Sequence, residues 1–197
     1  MKSFLRPALV LFSVLTLICG VLYPYAIAGI GQLAFPEQAQ GSIVLRDGQP
    51  IGSSLIGQAF SSPKYFWGRP SATGPMPNNA GASSGSNQGP LNPALIDAVK
   101  VRIDALRVAD PANTAAIPVD LVTASASGLD PEISLAAAFY QTGRIARERQ
   151  LTLEQVRSMI YQNMQSQHFG FFGEPRVNVL ALNLALDQKH ELAPLTR

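Results

Sequence analysis

Gly81-Ala82-Ser83-Ser84-Gly85 matches the G-x-S-x-G spacing that presents a serine nucleophile. A nucleophile elbow must leave a buried strand and enter a helix, so that the hydroxyl stands on a sharp turn. Ser83 instead lies among prolines, glycines and asparagines that start neither element. Gly29-Ile30-Gly31-Gln32-Leu33-Ala34 fits the dinucleotide fingerprint, but it ends an apolar stretch and no strand–helix–strand unit surrounds it. Lys2, Lys64, Lys100 and Lys189 all lack a preceding glycine, so no phosphate loop of the Gly-Lys-Ser/Thr type exists. His168 and His190 have no ligand spacing. Asp130 and Glu132 could act as an acid pair, yet Asp130-Pro131-Glu132 reads more simply as a cap, a proline and an acidic first turn. One cysteine cannot form an intramolecular disulfide, and with two histidines it cannot build a zinc cluster. No catalytic residue and no metal site is therefore assigned.

The 197 residues are 47% hydrophobic and only 14% charged, more apolar than a freely soluble enzyme. Fifteen basic and thirteen acidic side chains leave a net charge of +2, too weak a field to gather nucleic acid. That charge is local. Lys2 and Arg6 precede residues 8–34, which hold no Asp, Glu, Lys or Arg, while the rest of the chain balances thirteen bases against thirteen acids. About twenty helical residues span the ~30 Å hydrocarbon core, so residues 8–34 are expected to form one transmembrane helix. Bases before it and none just after it place residues 1–7 in the cytoplasm and residues 36–197 outside, by the positive-inside rule. A cleaved signal peptide is the competing reading, since Ala26-Ile27-Ala28 is an A-x-A pattern. Ser13, Thr16 and Gly20 form a small-residue seam along which another helix could approach, with chance placement towards lipid the plain alternative.

Beyond the helix the pattern predicts an α+β domain, three or four helices on a small sheet. Ile43 and Leu45 alternate with Val44 and Arg46 before the turn signal Asp47-Gly48, the mark of a hairpin. Residues 70–93 hold five Pro, four Gly, four Ser and four Asn and no charge. An unstructured linker usually carries solubilising charge, so an ordered loop is expected. Asn92-Pro93 starts a helix that Asp110-Pro111 stops, and 119–123 reads as a short strand. A second helix is expected from Pro131 towards Gly143, with Arg144, Arg147, Arg149 and Glu148 as a basic knot at its far end. Thr152 with Gln155 is a capping box for a third, and Asn178 caps a last apolar segment. Residues 60–70 are dense in aromatics, with Lys64 and Arg69 as their only charges. They are either a loop whose rings cover the core or a contact surface, because Trp, Tyr and Arg dominate such contacts.

Several blocks recur together: Leu22-Tyr23-Pro24-Tyr25, Gln38-Ala39-Gln40-Gly41-Ser42, Gly57-Gln58-Ala59-Phe60, Ser62-Pro63-Lys64-Tyr65-Phe66 and Gly68-Arg69-Pro70-Ser71-Ala72. Ser84-Gly85-Ser86-Asn87, Val119-Asp120-Leu121-Val122-Thr123-Ala124-Ser125, Gly128-Leu129-Asp130-Pro131 and Gly173-Glu174-Pro175-Arg176-Val177-Asn178-Val179-Leu180 follow in order. Over nearly the whole chain this resembles the C subunit of Kdp-type potassium-transporting P-type ATPases. Thr142-Gly143 stands where that family would have Val-Pro, and Ala126 where it more often has glycine. The resemblance implies a non-catalytic subunit of a bacterial inner-membrane complex, partnered by a potassium-selecting pore subunit and a P-type ATPase subunit. It also implies a part in assembly and a catalytic chaperone role that raises the ATP affinity of the ATPase subunit. ATP enters through that subunit, and no tightly bound cofactor is expected here. An outward-facing domain has no ATP pool, which favours an indirect effect through conformational bias. Ser13, Thr16, Gly20, Lys64, Tyr65, Trp67, Arg69 and Asn87 are the candidate partner contacts.

Two alternatives belong to other classes: a signal-cleaved or anchored extracytoplasmic binding module, and an anchored hydrolase at Ser83. Intact-protein mass should show an uncleaved amino-terminal helix; a mature chain beginning at Gly29 would favour the secreted module.

Overall fold

The computed structural model describes residues 2–191. Its described residues fall into two compact units divided between Ser53 and Ser54.

The first unit begins with α1 (Lys2–Leu17), which runs through a π-helical turn at Ile18–Leu22 into α2 (Tyr23–Ala34). Together they give one helix, Phe4–Ala34, long and apolar enough to cross a membrane. Pro24 lies in its interior, where a missing N–H and the ring's bulk disturb the regular ladder, and the π turn ends two residues before it. Ala26 and Ala28 lie within α2. A short turn of helix, α3 (Pro36–Ala39), leads to the hairpin β1 (Ile43–Arg46) and β2 (Gln49–Ser53), paired antiparallel with an irregularity after Val44. Asp47 and Gly48 both take positive φ, 52° and 76°, as the expected two-residue turn requires.

The second unit contains α4 (Pro93–Ala109), α5 (Leu135–Tyr140), α6 (Thr142–Arg149), α7 (Leu153–Gln162) and α8 (Val179–Glu191). They surround an antiparallel sheet of β3 (Glu132–Ser134), β4 (Met164–Gln165) and β5 (Arg176–Asn178), in the order β3-β5-β4. This is the α+β layering expected. The caps form as read: Asn92 accepts from the amide of Ala94, Asn178 from that of Ala181, and Thr152 with Gln155 closes a capping box. The core joins Phe66, Leu106, Ile133, Ile145, Val156, Ile160, Val177, Leu182 and Leu186.

Two expectations are corrected. Residues 119–121 form a 3-10 turn rather than a strand, because the Asp120 carboxylate turns away to accept the amide of Ser134 at 2.8 Å. The helix expected from Pro131 begins instead at Leu135, capped by the Ser134 hydroxyl on the amide of Ala137. Residues 132–134 pair with β5, and that long-range ladder overrides the local helix-start signal.

The uncharged segment 70–93 is ordered by its own polar groups. The Ser71 hydroxyl donates to Gly128 O at 2.6 Å and accepts the amide of Asn78, and the Ser84 amide donates to Ser127 O. Gly128, at φ +67°, brings the backbone so close that an added Cβ would stand 2.6 Å from Ser84 O. Gly128→Ala should therefore cost about 1–3 kcal/mol of stability. Gly89→Ala, with nothing within 4 Å of the added carbon, should change it by less than about 0.5 kcal/mol. Thermal or denaturant unfolding of the two variants checks the contrast.

Candidate functional site

The aromatic segment between Ser62 and Arg69 lies outside every strand of the described residues, yet it passes through the interior: the Phe66 side chain is 0% exposed. Buried backbone N–H and C=O groups must find partners, and without a neighbouring strand only side chains can supply them. Gln141 in α5–α6 and Asn183 in α8 do so as paired clamps. Asn183 Oδ1 accepts the amide of Phe66 at 2.8 Å while its Nδ2 donates to Phe66 O at 3.0 Å. Gln141 Oε1 accepts the amide of Trp67 at 2.8 Å while its Nε2 donates to Trp67 O at 3.1 Å. Two arginines of α6 finish the strap. Arg144 donates to the carbonyls of Pro63 and Tyr65 and to Gln141 Oε1, and Arg149 Nε donates to Lys64 O at 2.9 Å.

The same cations stack on the rings. The Arg144 guanidinium lies 4.6 Å from the Trp67 ring centre and that of Arg149 4.6 Å from the Tyr65 ring centre, within cation–π range. Asp187 closes the set, pairing with Arg149 at 2.7 Å and accepting the Tyr65 hydroxyl at 3.1 Å. Burial pushes the Arg144 guanidinium down to about 10, which leaves it charged at neutral pH, with Asp110 and Glu148 acting in the opposite sense. Arg147 instead reaches Asp110 at 2.9 Å, and that hydrogen bond raises its pKa. Arg144 and Arg149 of the basic knot are thus an internal scaffold, while Arg147 and Glu148 stay on the surface.

The strap ends by positioning Arg69. Its Nη1 meets Asp130 Oδ2 at 2.9 Å, its Nη2 reaches Ala124 O at 3.4 Å, and its Nε is buried with no hydrogen-bond partner among the described residues. Asp130 Oδ1 also accepts the amide of Glu132, and Glu132 pairs with Arg176 Nε at 2.5 Å across β3 and β5. Arg69 forms part of the wall of two clefts. One, of about 560 Å³, is lined by Asp120, Asp130, Glu132, Glu174 and Arg176 beside Pro118, Val119 and Ser134. The other, of about 270 Å³, is more apolar and is lined by Phe60, Trp67, Leu106 and Leu121 with Arg102. Burial lowers the Arg102 pKa, and its guanidinium donates to Val122 O.

The sequence-named residues divide by place. Tyr65, Trp67 and Arg69 come together on the strap, where Lys64 contributes its carbonyl and leaves its side chain exposed. Asn87 is exposed on the 70–93 loop at φ +51°. Ser13, Thr16 and Gly20 are exposed on the long helix, Gly20 inside the π turn. Ser83 also stays in a loop, its hydroxyl spent on Ser127 O. Gln141, Asn183 and Asp187 were missed. Only Asn183 carried a signal, a polar residue embedded among apolar ones between Leu182 and Leu186. Among the described residues no three His, Cys, Asp or Glu side chains gather to hold a metal ion. The arrangement fixes the strap and sets Arg69 on the walls of both clefts.

Gln141→Ala leaves two strap backbone groups without their partners, a loss of about 2–4 kcal/mol. The chain has a single tryptophan, so Trp67 emission should shift to the red at temperatures well below unfolding; an unshifted spectrum would contradict the clamp.

A family model described as KdpC, the c chain of K+-transporting ATPase, matches residues 5–188. The chain is 77% identical over 190 residues to a Potassium-transporting ATPase KdpC subunit of Herminiimonas arsenicoxydans, covering 96% of this chain and 100% of the relative. The corresponding protein of Janthinobacterium sp. (strain Marseille) is 72% identical over 189 residues, with 96% and 100% covered. That of Methylococcus capsulatus is 60% identical over 187 residues, with 95% and 98% covered.

Proposed function

Because this chain belongs to the KdpC family, the c chain of K+-transporting ATPases, we propose that it works in ATP-driven potassium uptake as a subunit without an active site of its own. It anchors itself in the bacterial inner membrane through Phe4–Ala34, amino end in the cytoplasm, and presents its folded domain on the outer side. There it holds a potassium-selecting pore subunit and a P-type ATPase subunit in a working arrangement and raises the ATP affinity of the latter.

The observation that carries this reading is the fate of the charges at Arg69. Arg69 is paired with Asp130, and Glu132 with Arg176. Paired charges on a rigid strap suit a docking platform better than a reaction centre, where a poised acid or base would be needed. The same groups bear on ATP. The larger cleft sets four carboxylates, Asp120, Asp130, Glu132 and Glu174, against two guanidinium groups. A triphosphate is repelled there and would have to break ion pairs to bind, so the cleft does not fit the nucleotide. The chaperone effect then runs through conformation: contact with a partner favours the pump state that binds ATP more tightly, by the differential free energy of that contact.

Arg69→Ala leaves Asp130 without its cation and loosens the end of the strap, and should weaken co-purification with the pore and ATPase subunits and slow potassium uptake. Unchanged assembly and uptake in a correctly folded variant would count against the platform.

A further inference from the structure

Between β4 and β5 the chain makes a phenylalanine-rich turn with no counterpart in the function above. Its sequence is Gln167-His168-Phe169-Gly170-Phe171-Phe172-Gly173, with neither Asp, Glu, Lys nor Arg. The three phenylalanines face outward, 89%, 69% and 59% exposed in chain order. Burying such rings is favourable, and soluble surfaces rarely leave three together without use.

The turn is a preformed object. His168 and Phe172 exchange both backbone hydrogen bonds, at 3.0 and 2.9 Å, and the Phe171 amide also returns to His168 O. The Gly170 amide donates to Gln167 O, and the Gln167 side-chain amide ties to Gly173 O at 2.8 Å. Phe169 and Gly170 hold positive φ, 53° and 78°, and the Phe171 and Phe172 rings pack at 4.2 Å between centres.

We propose that this turn beds its phenylalanines in the interfacial layer of the lipid bilayer, as a second and reversible membrane contact for the folded domain. The inference rests on the anchoring proposed above, since a chain tethered by Phe4–Ala34 meets the bilayer at high effective concentration. Three features favour lipid over a protein partner. The amides of His168, Gly170, Phe171 and Phe172 are already spent inside the turn and can leave water without a new acceptor. Zero formal charge removes the main cost of entering the interface. Protein contacts are ordinarily fixed by Arg, Tyr or Trp with directed polar groups, and residues 167–173 contain none of the three.

The test uses the full chain in nanodiscs of phosphatidylethanolamine and phosphatidylglycerol. With Cys19→Ser as background, Leu15→Cys and Phe171→Cys are labelled separately with bimane. The quenchers are a lipid nitroxide near the headgroup and aqueous iodide. Both labels should be quenched by the lipid nitroxide, and the label at 171 should shift to the blue and lose most of its iodide quenching relative to detergent-free urea-unfolded chain. A quenched label at 15 with a label at 171 that answers only to iodide overturns the proposal and leaves the anchor intact. A label at 171 shielded from both quenchers overturns it in favour of a protein surface. An unquenched label at 15 defeats the anchoring reading and this proposal with it.

Discussion

The structure turns on a backbone segment that passes through the interior at Phe66 without being a strand. Residues 63–67 pass beneath α6 and α8, and each of their carbonyls accepts a hydrogen bond from a side chain of a distant element. An orphaned backbone group there would cost about 1–3 kcal/mol, so Gln141, Arg144, Arg149 and Asn183 are tied to their positions as firmly as the apolar core. They also explain why polar residues occupy buried helix faces that simple amphipathic patterning would fill with leucine. Burying Arg144 at 2% exposure is tolerable only because its donors meet strap carbonyls and its face meets the Trp67 ring.

That constraint passes outward to the surface. A strap fixed at Phe66 and Trp67 delivers Arg69, two residues on, to Asp130 and the ends of the two clefts. Asp130 in turn shapes the start of β3 through the amide of Glu132, and Glu132 locks β3 to β5 through Arg176. Core, strap and surface ion pairs are one connected structure. The role proposed above, holding and biasing partners, requires such stiffness, because a soft contact transmits little differential free energy.

Local features were legible in the sequence. Asp47-Gly48, Asn92-Pro93, Thr152 with Gln155, and Asn178 each need only neighbours within a few residues, and each forms as read. The long apolar helix and the ordered, uncharged 70–93 loop were legible from composition. Features set by distant partners were not. The 119–121 turn depends on Asp120 meeting Ser134, and the strand at 132–134 depends on β5, more than forty residues away in the chain. For 60–70 the sequence left a core-covering loop and a contact surface open. The core-covering reading is met at Phe66, which is buried, while Arg69 reaches the clefts. The clamps themselves span 74 residues from Gln141 to Trp67 and 117 from Asn183 to Phe66. No local pattern encodes such a pairing.

The central claim, that side-chain clamps hold the strap in the interior at Phe66 and Trp67, is tested most directly by amide hydrogen exchange of the full chain in lipid nanodiscs. The Phe66 and Trp67 amides should exchange as slowly as the core helices α6 and α8, and Asn183→Ala should release Phe66 while Trp67 stays protected. Exchange of both amides at the rate of an open surface loop would contradict the account.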